Sequence, residues 1–246
     1  MQTSGRVLGP AIEDYLKAIY ALQEESSGVT NTALARRMGV ASPSATNMIK
    51  KLTALKLVWH ERYHEVRLTP AGERIALEVL RHHRLLELFL SQALGMPWDQ
   101  VHAEAHRLEH VLSDNLEDYV AAYLGEPTED PHGDPIPSRT GRVEQKEHSK
   151  LADLAPGATV TIRRVSDAHP EHLRHFSNLG LVPHARIHVI DREPFGGPLR
   201  LRLSSGEERV LGERLAAEIW VGPASSVKKP ARMWKQGATP SRRLRG

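Results

Sequence analysis

Residues 31–52, NTALARRMGVASPSATNMIKKL, decide the fold of the first part of this 246-residue chain. A short helix is predicted to start at Asn31 or Thr32 and to end at Gly39, because glycine readily adopts the left-handed backbone of a helix C-terminus. A tight turn and a second helix follow, so the stretch predicts two helices joined by about four residues.

The second of these helices has a strong start signal and two distinct faces. Ser42 is a favourable N-cap and Pro43 a favourable first helical residue. The apolar face is expected to consist of Ala45, Met48, Ile49, Leu52 and Leu55. The opposite face carries small polar and basic residues, which is what entry into the major groove of DNA requires. The alternative is an ordinary solvated polar face.

The flanking sequence completes a winged helix-turn-helix. A helix is predicted over Ala11–Glu25, and two short strands over Leu57–His60 and Glu65–Leu68, around a turn at residues 61–64. Double-stranded DNA is therefore an expected partner, with direct contacts to base edges from Ser44 and Asn47. The full set of expected DNA contacts is Arg36, Ser42, Pro43, Ser44, Asn47, Lys50, Lys51, Arg62 and Arg67.

Three more helices are predicted over residues 71–92, 101–114 and 113–124. Their apolar positions exceed what one wing domain can cover, which favours a homodimer. In the second of them, VHAEAHRLEHVLSD, four residues that can bind metal have offsets of 0, 4, 7 and 8, which place them on one helical face. They are His102, His106, Glu109 and His110.

This histidine-rich stretch predicts a metal site, because a divalent cation stabilises neutral imidazoles and ionised carboxylates that would otherwise be desolvated together. A purely structural cluster is the alternative. His83 and Glu87 form a second pair one turn apart on the preceding helix. Residues 106–110, HRLEH, also match the H-x-x-E-H pattern of a metallopeptidase group, so a metal-dependent hydrolase is a second functional hypothesis.

The remaining sequence changes character after residue 125. Residues 126–150 are rich in proline, glycine and charge and are interpreted as a linker. Alternating strands then predict an SH3-like barrel. The fold class is thus mainly α with a small all-β C-terminal domain. The expected domains are a winged helix-turn-helix (1–72), a helical metal-binding and dimerisation domain (73–138), a linker (139–150), the SH3-like domain (151–222) and a basic, disordered tail (223–246).

Composition narrows the class of protein. The chain has no cysteine, so a metal site must use histidine and carboxylate ligands. Neither a signal peptide nor a membrane span is predicted, which favours a cytoplasmic protein with no membrane partner. The net charge is +3, but the tail carries seven of the basic residues and no acid, which leaves the rest at −4.

Several segments together resemble the diphtheria-toxin-repressor and manganese-transport-regulator family of metal-dependent transcription regulators. They are IEDYLKAIYAL (12–22), VASPSATNMIKKL (40–52), LTPAGERIA (68–76), RHHRLLELFL (81–90), VHAEAHRLEHVLSD (101–114) and GDPIP (133–137). LADLAPGATVTIRRV (151–165) and NLGLVPHARIHVIDREPFGGPL (178–199) resemble the FeoA-like SH3 domain of its longer members. The resemblance covers residues 10–222 in the family's domain order.

The resemblance implies two metal sites. The primary ligands would be Asp14, His106, Glu109 and His110, and the ancillary ligands His83, Glu87 and His102. His169 and His172, with Glu171 as a weaker candidate, would extend the ancillary site from the SH3-like domain. His106 stands where the family has Cys or Glu, and Lys17 where its manganese branch has a second acid.

The function implied is metal-activated binding to a palindromic operator, with repression of metal-uptake genes and no small-molecule substrate. Mn²⁺ is the favoured cofactor and Fe²⁺ the next, because the ligands lack sulfur and Asp14 replaces a thioether. Other divalent transition metals are expected to bind in vitro.

Overall fold

The computed structural model describes residues 8–25, 28–60, 65–144 and 148–223. The predicted turn at the tip of the wing, with Arg62, lies outside these residues, as does the tail from residue 224 onward.

The N-terminal part is the expected winged helix-turn-helix. Its elements are α1 (Pro10–Glu25), α2 (Asn31–Arg37), α3 (Ser42–Ala54), β1 (Val58–Trp59) and β2 (Arg67–Leu68). The two strands pair antiparallel, with Val58 opposite Leu68. The fully buried side chains of Leu16, Ile19, Leu34, Ile49 and Leu52 form its core, so the periodicity of the sequence predicted the faces correctly.

The start of α3 differs from the prediction by one residue. Ala41 is the N-cap, with extended backbone and no side-chain cap, and Ser42 is already helical. The Ser42 carbonyl accepts from Thr46 Oγ1 at 2.9 Å and from Asn31 Nδ2 at 3.3 Å. Ser42 was therefore wrongly predicted as the cap. A shift of this size is common, since helix boundaries are ill-defined to one or two residues.

The central part consists of α4 (Pro70–Leu94), α5 (Val101–Leu108) and α6 (Asp114–Tyr123). Thr69 Oγ1 caps α4 by accepting from the Gly72 N–H at 3.1 Å, and Gly95 ends it with φ of 67°. The helix predicted over 101–114 is interrupted, because α5 ends at Leu108 and a turn follows. Glu109 and His110 lie in that turn, so the prediction that all four ligands share one helical face was wrong.

The C-terminal part is a six-stranded antiparallel sheet with the order β3-β8-β4-β5-β6-β7. Its elements are β3 (Ser149–Lys150), a 3₁₀ turn (Leu151–Asp153), β4 (Thr159–Val165), α7 (Pro170–Leu179), β5 (Arg186–Arg192), β6 (Leu199–Leu203), β7 (Glu208–Leu211), α8 (Glu213–Ala216) and β8 (Ile219–Pro223). This is the predicted SH3-like domain, with β3 and β7 added to the four predicted strands. β3 begins inside the predicted linker because Ser149 pairs with Val221.

The predicted linker over residues 126–150 is not a loose connection along its first half. Asp130, His132 and Asp134 are buried. The His132 carbonyl accepts from the Val165 N–H of β4 at 2.9 Å, and Arg84 of α4 lies 3.2 Å from Asp134 Oδ1. Turn-forming composition predicted an irregular path correctly, but it does not distinguish a solvated loop from one that packs between α4 and β4.

No helix in the described ranges combines the length and the apolar character needed to cross a bilayer.

Candidate metal centres and nucleic-acid surface

The helix-turn-helix presents the predicted DNA-contacting side chains to solvent. Arg36, Ser42, Pro43, Ser44, Asn47, Lys50, Lys51 and Arg67 are all exposed. Asn31 Nδ2 donates to Thr46 Oγ1 at 3.1 Å, which ties the start of α2 to α3. Arg67 lies 3.4 Å from Glu65, an exposed pair of the kind that contributes little free energy and leaves the guanidinium available for phosphate. Trp59, 59% exposed on β1, was not predicted as part of this surface.

A first cluster joins the N-terminal and central parts of the chain. It consists of Asp14 of α1, His106 of α5, and Glu109 and His110 of the following turn, whose ligand atoms all lie within 4.8 Å of one another. Asp14 Oδ1 is 3.1 Å from His110 Nε2, and Glu109 Oε1 is 2.9 Å from His106 Nδ1. These are the four residues predicted for the primary site, brought together from positions far apart in sequence.

One histidine of the first cluster has a hydrogen-bond partner on its other ring nitrogen, as metal-binding histidines usually do. His110 Nδ1 lies 2.6 Å from Glu13 Oε2, so a carboxylate orients the ring while Nε2 faces the cluster. Glu13 was not predicted, and its position beside Asp14 on α1 carries no sequence signal of its own. The donor set is two imidazoles and two carboxylates, which fits Mn²⁺, Fe²⁺ or Zn²⁺.

Glu109 is the buried anion of this cluster. Its side chain is fully buried. Burial raises its pKa, but hydrogen bonds and charges from His83 and Lys17 outweigh burial and lower that pKa to about 2. The Lys17 ammonium lies 2.5 Å from Glu109 Oε1, and His83 Nδ1 lies 2.5 Å from Glu109 Oε2. Glu109 is thus an ionised carboxylate, the form that a metal requires.

A second cluster lies on the other side of His83. It consists of His83 and Glu87 of α4 and His102 of α5, again with ligand atoms within 4.8 Å of one another. Glu87 Oε1 is 3.0 Å from both His83 Nε2 and His102 Nδ1. These are the three residues predicted for the ancillary site. Because His83 contacts Glu109 through its other nitrogen, one imidazole connects the two clusters.

The SH3-like domain reaches the second cluster through a residue that was not predicted. Asp167, just after β4, has Oδ2 3.2 Å from His102 Nδ1. The hydrogen bonds of His102 to Asp167 and Glu87 raise the pKa of His102 to about 10. His169 and His172 are not brought to the cluster. His172 Nδ1 instead approaches Glu218 at 2.8 Å, and His169 is exposed beside Glu171.

His132 was also missed by the sequence reasoning. Its ring is fully buried, Nε2 lies 2.9 Å from the Trp98 carbonyl oxygen, and Nδ1 has no hydrogen-bond partner. Nδ1 is 4.0 Å from Glu87 Oε2. His132, Glu87 and Asp167 also have ligand atoms that all lie within 4.8 Å of one another. A buried imidazole nitrogen without a hydrogen-bond partner, lying beside two acids, fits a cation at this end of the second cluster.

Comparison with known proteins identifies the family of the chain. Family models described as the N-terminal DNA-binding domain of iron-dependent repressors, their metal-binding and dimerisation domain, and the FeoA domain match residues 7–66, 69–138 and 149–223. The iron-dependent repressor IdeR of Mycobacterium tuberculosis is 30% identical over 200 residues, which cover 75% of this chain and 85% of that protein. The chain belongs to the iron- and manganese-dependent repressor family.

Solved structures of this repressor family support the assignment. A manganese-dependent transcriptional repressor in complex with manganese is 42% identical, with a TM-score of 0.81 over 86% of this chain and 99% of that one. ScaR with bound Cd²⁺ is 30% identical, with a TM-score of 0.72 and coverages of 86% and 99%. The diphtheria toxin repressor of Corynebacterium jeikeium is 32% identical over 169 residues, 67% of this chain and 70% of that protein.

Membership confirms the predicted function class. The chain is a metal-dependent, DNA-binding transcription regulator of a family that dimerises through its central domain. The hydrolase hypothesis is not supported, because the family consists of regulators without enzymatic activity. The HRLEH match has a structural explanation, since the residues of the motif contribute to the first cluster together with Asp14 of the DNA-binding domain.

Proposed function

We propose that this repressor is activated by Mn²⁺, with Fe²⁺ as the next candidate, and that the loaded homodimer represses metal-uptake genes. The proposed metal ligands are those of the first cluster, and the second cluster is proposed as an ancillary site. Because the target is DNA, the proposed place of action is the cytoplasm. The proposal includes no small-molecule substrate.

The observation that carries the proposal is the position of Asp14. It lies on α1 of the DNA-binding domain, whereas His106, Glu109 and His110 follow α4. A cation held by all four residues would supply a bond-like restraint between the two parts. Without the cation, the two parts are joined near Asp14 by the weaker Lys17–Glu109 and Asp14–His110 contacts, and we expect the orientation of α3 to vary more. A ligand that favours one orientation shifts the population toward it.

The choice of metal rests on the donor atoms. The first cluster supplies nitrogen and oxygen and no sulfur, which is compatible with the harder Mn²⁺ and with Fe²⁺. The solved relative at 42% identity holds manganese, whereas the relatives at 30–32% identity include iron-dependent repressors. The sulfur-free donor set and the higher identity to the manganese-bound relative both favour manganese. Zn²⁺ and Co²⁺ are expected to bind in vitro, as the stability order of divalent metals requires.

The second cluster supports an ancillary site whose additional candidate ligands differ from those that the sequence suggested. His83, Glu87 and His102 are joined there by Asp167, and His132 directs an unpaired nitrogen toward Glu87. Such a site would connect α4 and α5 to the SH3-like domain. His169 and His172 are not included among the proposed ligands, since His172 pairs with Glu218 and His169 lies beside Glu171.

The proposed mode of DNA binding is symmetrical. Two copies of α3 in a homodimer would contact successive half-sites of a palindrome, with a spacing set by the dimer geometry. Leu116, Tyr119 and Tyr123 are more than half exposed on α6, and their spacing places them along one stripe of that helix. This stripe, with Val111 in the preceding turn, is the proposed dimer surface.

The proposal is tested by titrating the protein against promoter fragments at constant ionic strength, in chelator or with Mn²⁺, Fe²⁺ or Zn²⁺. Asp14→Asn removes a charge from the first cluster and Glu24→Gln is the matched control, an exposed acid on the same helix. Wild type and Glu24→Gln are expected to bind DNA tightly only with metal. Asp14→Asn is expected to lose at least about tenfold of the metal-induced affinity.

Equal DNA affinity in chelator and in metal would contradict metal activation. Full metal response in Asp14→Asn would refute the restraint between the two parts. The order of affinities with Mn²⁺ and anaerobic Fe²⁺ decides between the two metals, provided that free metal concentrations are buffered to the same value.

A further inference from the structure

His82 lies beside the first cluster but is not part of it. It precedes His83 on α4 and is buried, with 6% of its surface exposed. His83 turns its ring toward the two clusters, whereas His82 turns toward α6 and the turn after α5. Its Nδ1 lies 3.2 Å from the carbonyl oxygen of Glu109, and its Nε2 lies 3.0 Å from Glu117 Oε2.

The Glu109 carbonyl belongs to the end of α5, where backbone acceptors have no partner within the helix. A carbonyl oxygen only accepts hydrogen bonds, so His82 Nδ1 is the donor. Glu109 and His110 are consecutive residues in this turn. A hydrogen bond to the peptide group between them therefore restrains the backbone that carries two ligands of the first cluster.

The other side of the His82 ring is held by a buried ion pair. Arg81 Nε lies 2.5 Å from Glu117 Oε1, and Arg81 Nη1 donates to the Pro137 carbonyl at 2.8 Å. Burial raises the pKa of Glu117, but His82 and Arg81 outweigh burial and lower it to about 2. The ionised carboxylate thus orients the imidazole so that Nδ1 faces Glu109.

We propose that His82 is a positioning residue for the metal site, acting through the hydrogen bond from its Nδ1 to the Glu109 carbonyl. The inference rests on the proposed assignment of the first cluster as the primary metal site. In this proposal His82 is not a ligand of the first cluster, because its Nδ1 faces the Glu109 carbonyl and its Nε2 faces Glu117. Its contribution is to hold Glu109 and His110 in place before the metal arrives, which lowers the cost of binding.

The two nitrogens of His82 are tested separately by two amide substitutions. In His82→Asn the amide nitrogen lies near the position of Nδ1, and in His82→Gln it lies near that of Nε2. Binding of Mn²⁺ to the full chain is measured by electron paramagnetic resonance, with Glu109→Gln as the reference that lacks the first site. We expect His82→Gln to weaken first-site binding by about 10–100-fold and His82→Asn to change it by less than about threefold.

Two further measurements separate positioning from stability. Melting temperatures in chelator are recorded for both variants, and Glu117→Gln, which keeps an acceptor for Nε2, is expected to retain Mn²⁺ affinity within about threefold. Equal affinity in His82→Gln and wild type, or a larger loss in His82→Asn than in His82→Gln, overturns the inference. The inference is also overturned if the loss of Mn²⁺ affinity in each variant simply parallels the fall in its melting temperature. If Glu109→Gln binds Mn²⁺ as wild type does, the proposed function itself fails, whatever the His82 variants show.

Discussion

Lys17 is the residue whose charge bears most directly on the metal chemistry of this regulator. Its ammonium lies 2.5 Å from Glu109 Oε1 while its side chain is 19% exposed, and the Glu109 side chain is fully buried. Lys17 thus neutralises a buried carboxylate that the proposed metal also needs. It belongs to α1, so the ion pair crosses from the DNA-binding part to the central part. The singly charged ammonium of Lys17 therefore contacts the same Glu109 oxygen that the proposed divalent metal would bind.

Lys17→Met is expected to increase Mn²⁺ affinity at the first site by about tenfold or more, because a positive charge beside a ligand oxygen opposes a second cation. Lys56→Met, which changes an exposed lysine remote from the cluster, is the control. Isothermal titration calorimetry of the two variants measures the effect. Weaker binding in Lys17→Met would mean that the ammonium assists metal binding by organising Glu109, and unchanged binding would mean that its net effect on metal affinity is negligible.

At the scale of single residues, prediction succeeded where the chemistry of the side chain is diagnostic. Histidine and acid spacing, with the family resemblance, predicted the seven residues that the structure gathers into two clusters. Glu13, Asp167 and His132 escaped because an isolated acid or histidine in sequence has many ordinary explanations. Their proximity to other ligands depends on how α1, β4 and residues 126–138 pack, and no local pattern encodes that.

At the scale of elements, the segment over residues 130–137 does more than connect two domains. Gly133 has φ of 90°, and a Cβ atom there would lie 1.9 Å from the Arg163 carbonyl oxygen. Arg164 of β4 lies 3.2 Å from Asp134 and stacks over Trp220 at 4.1 Å from the ring centroid. A close backbone approach and charged contacts thus attach the SH3-like domain to the central part.

Gly133→Ala is expected to destabilise this attachment by roughly 2 kcal/mol or more, because the clash adds to the cost of a positive φ. Gly157→Ala is a matched control, since Gly157 also has φ of 90° but nothing within 4 Å of its added Cβ. Urea unfolding and limited proteolysis between the domains compare the two variants. Equal stability of both would show that the segment shifts to accommodate the methyl group at no cost.

At the scale of the whole molecule, the exposed apolar stripe on α6 indicates a surface that a second protein chain covers. Tyr119 and Tyr123 are each 69% exposed and Val111 is 76% exposed in the single chain. Aromatic and aliphatic side chains clustered on one face are typical of a protein interface, and the family model for this region is one of dimerisation. In the proposed homodimer, two copies of α3 would contact one DNA duplex.

Tyr119→Glu is expected to weaken dimerisation by at least about tenfold, because a charge would be buried at the interface. Val210→Glu, which changes a 58% exposed apolar residue on β7, is the control. Analytical ultracentrifugation over a concentration series measures the dissociation constant. A wild-type constant in Tyr119→Glu would exclude this stripe from the interface, and a comparable loss in Val210→Glu would point to a surface on the SH3-like domain.

The sequence by itself determined the winged helix-turn-helix, the helical centre, the SH3-like barrel and the donor types of the two clusters proposed as metal sites. These features depend on local periodicity, capping residues and side-chain chemistry, which act over a few residues. Only the tertiary structure decided that α5 ends at Leu108, that Asp167 and His132 reach the second cluster, and that Glu109 pairs with Lys17. These features depend on contacts between residues far apart in the chain, whose free energy is set by burial and charge after the elements have packed.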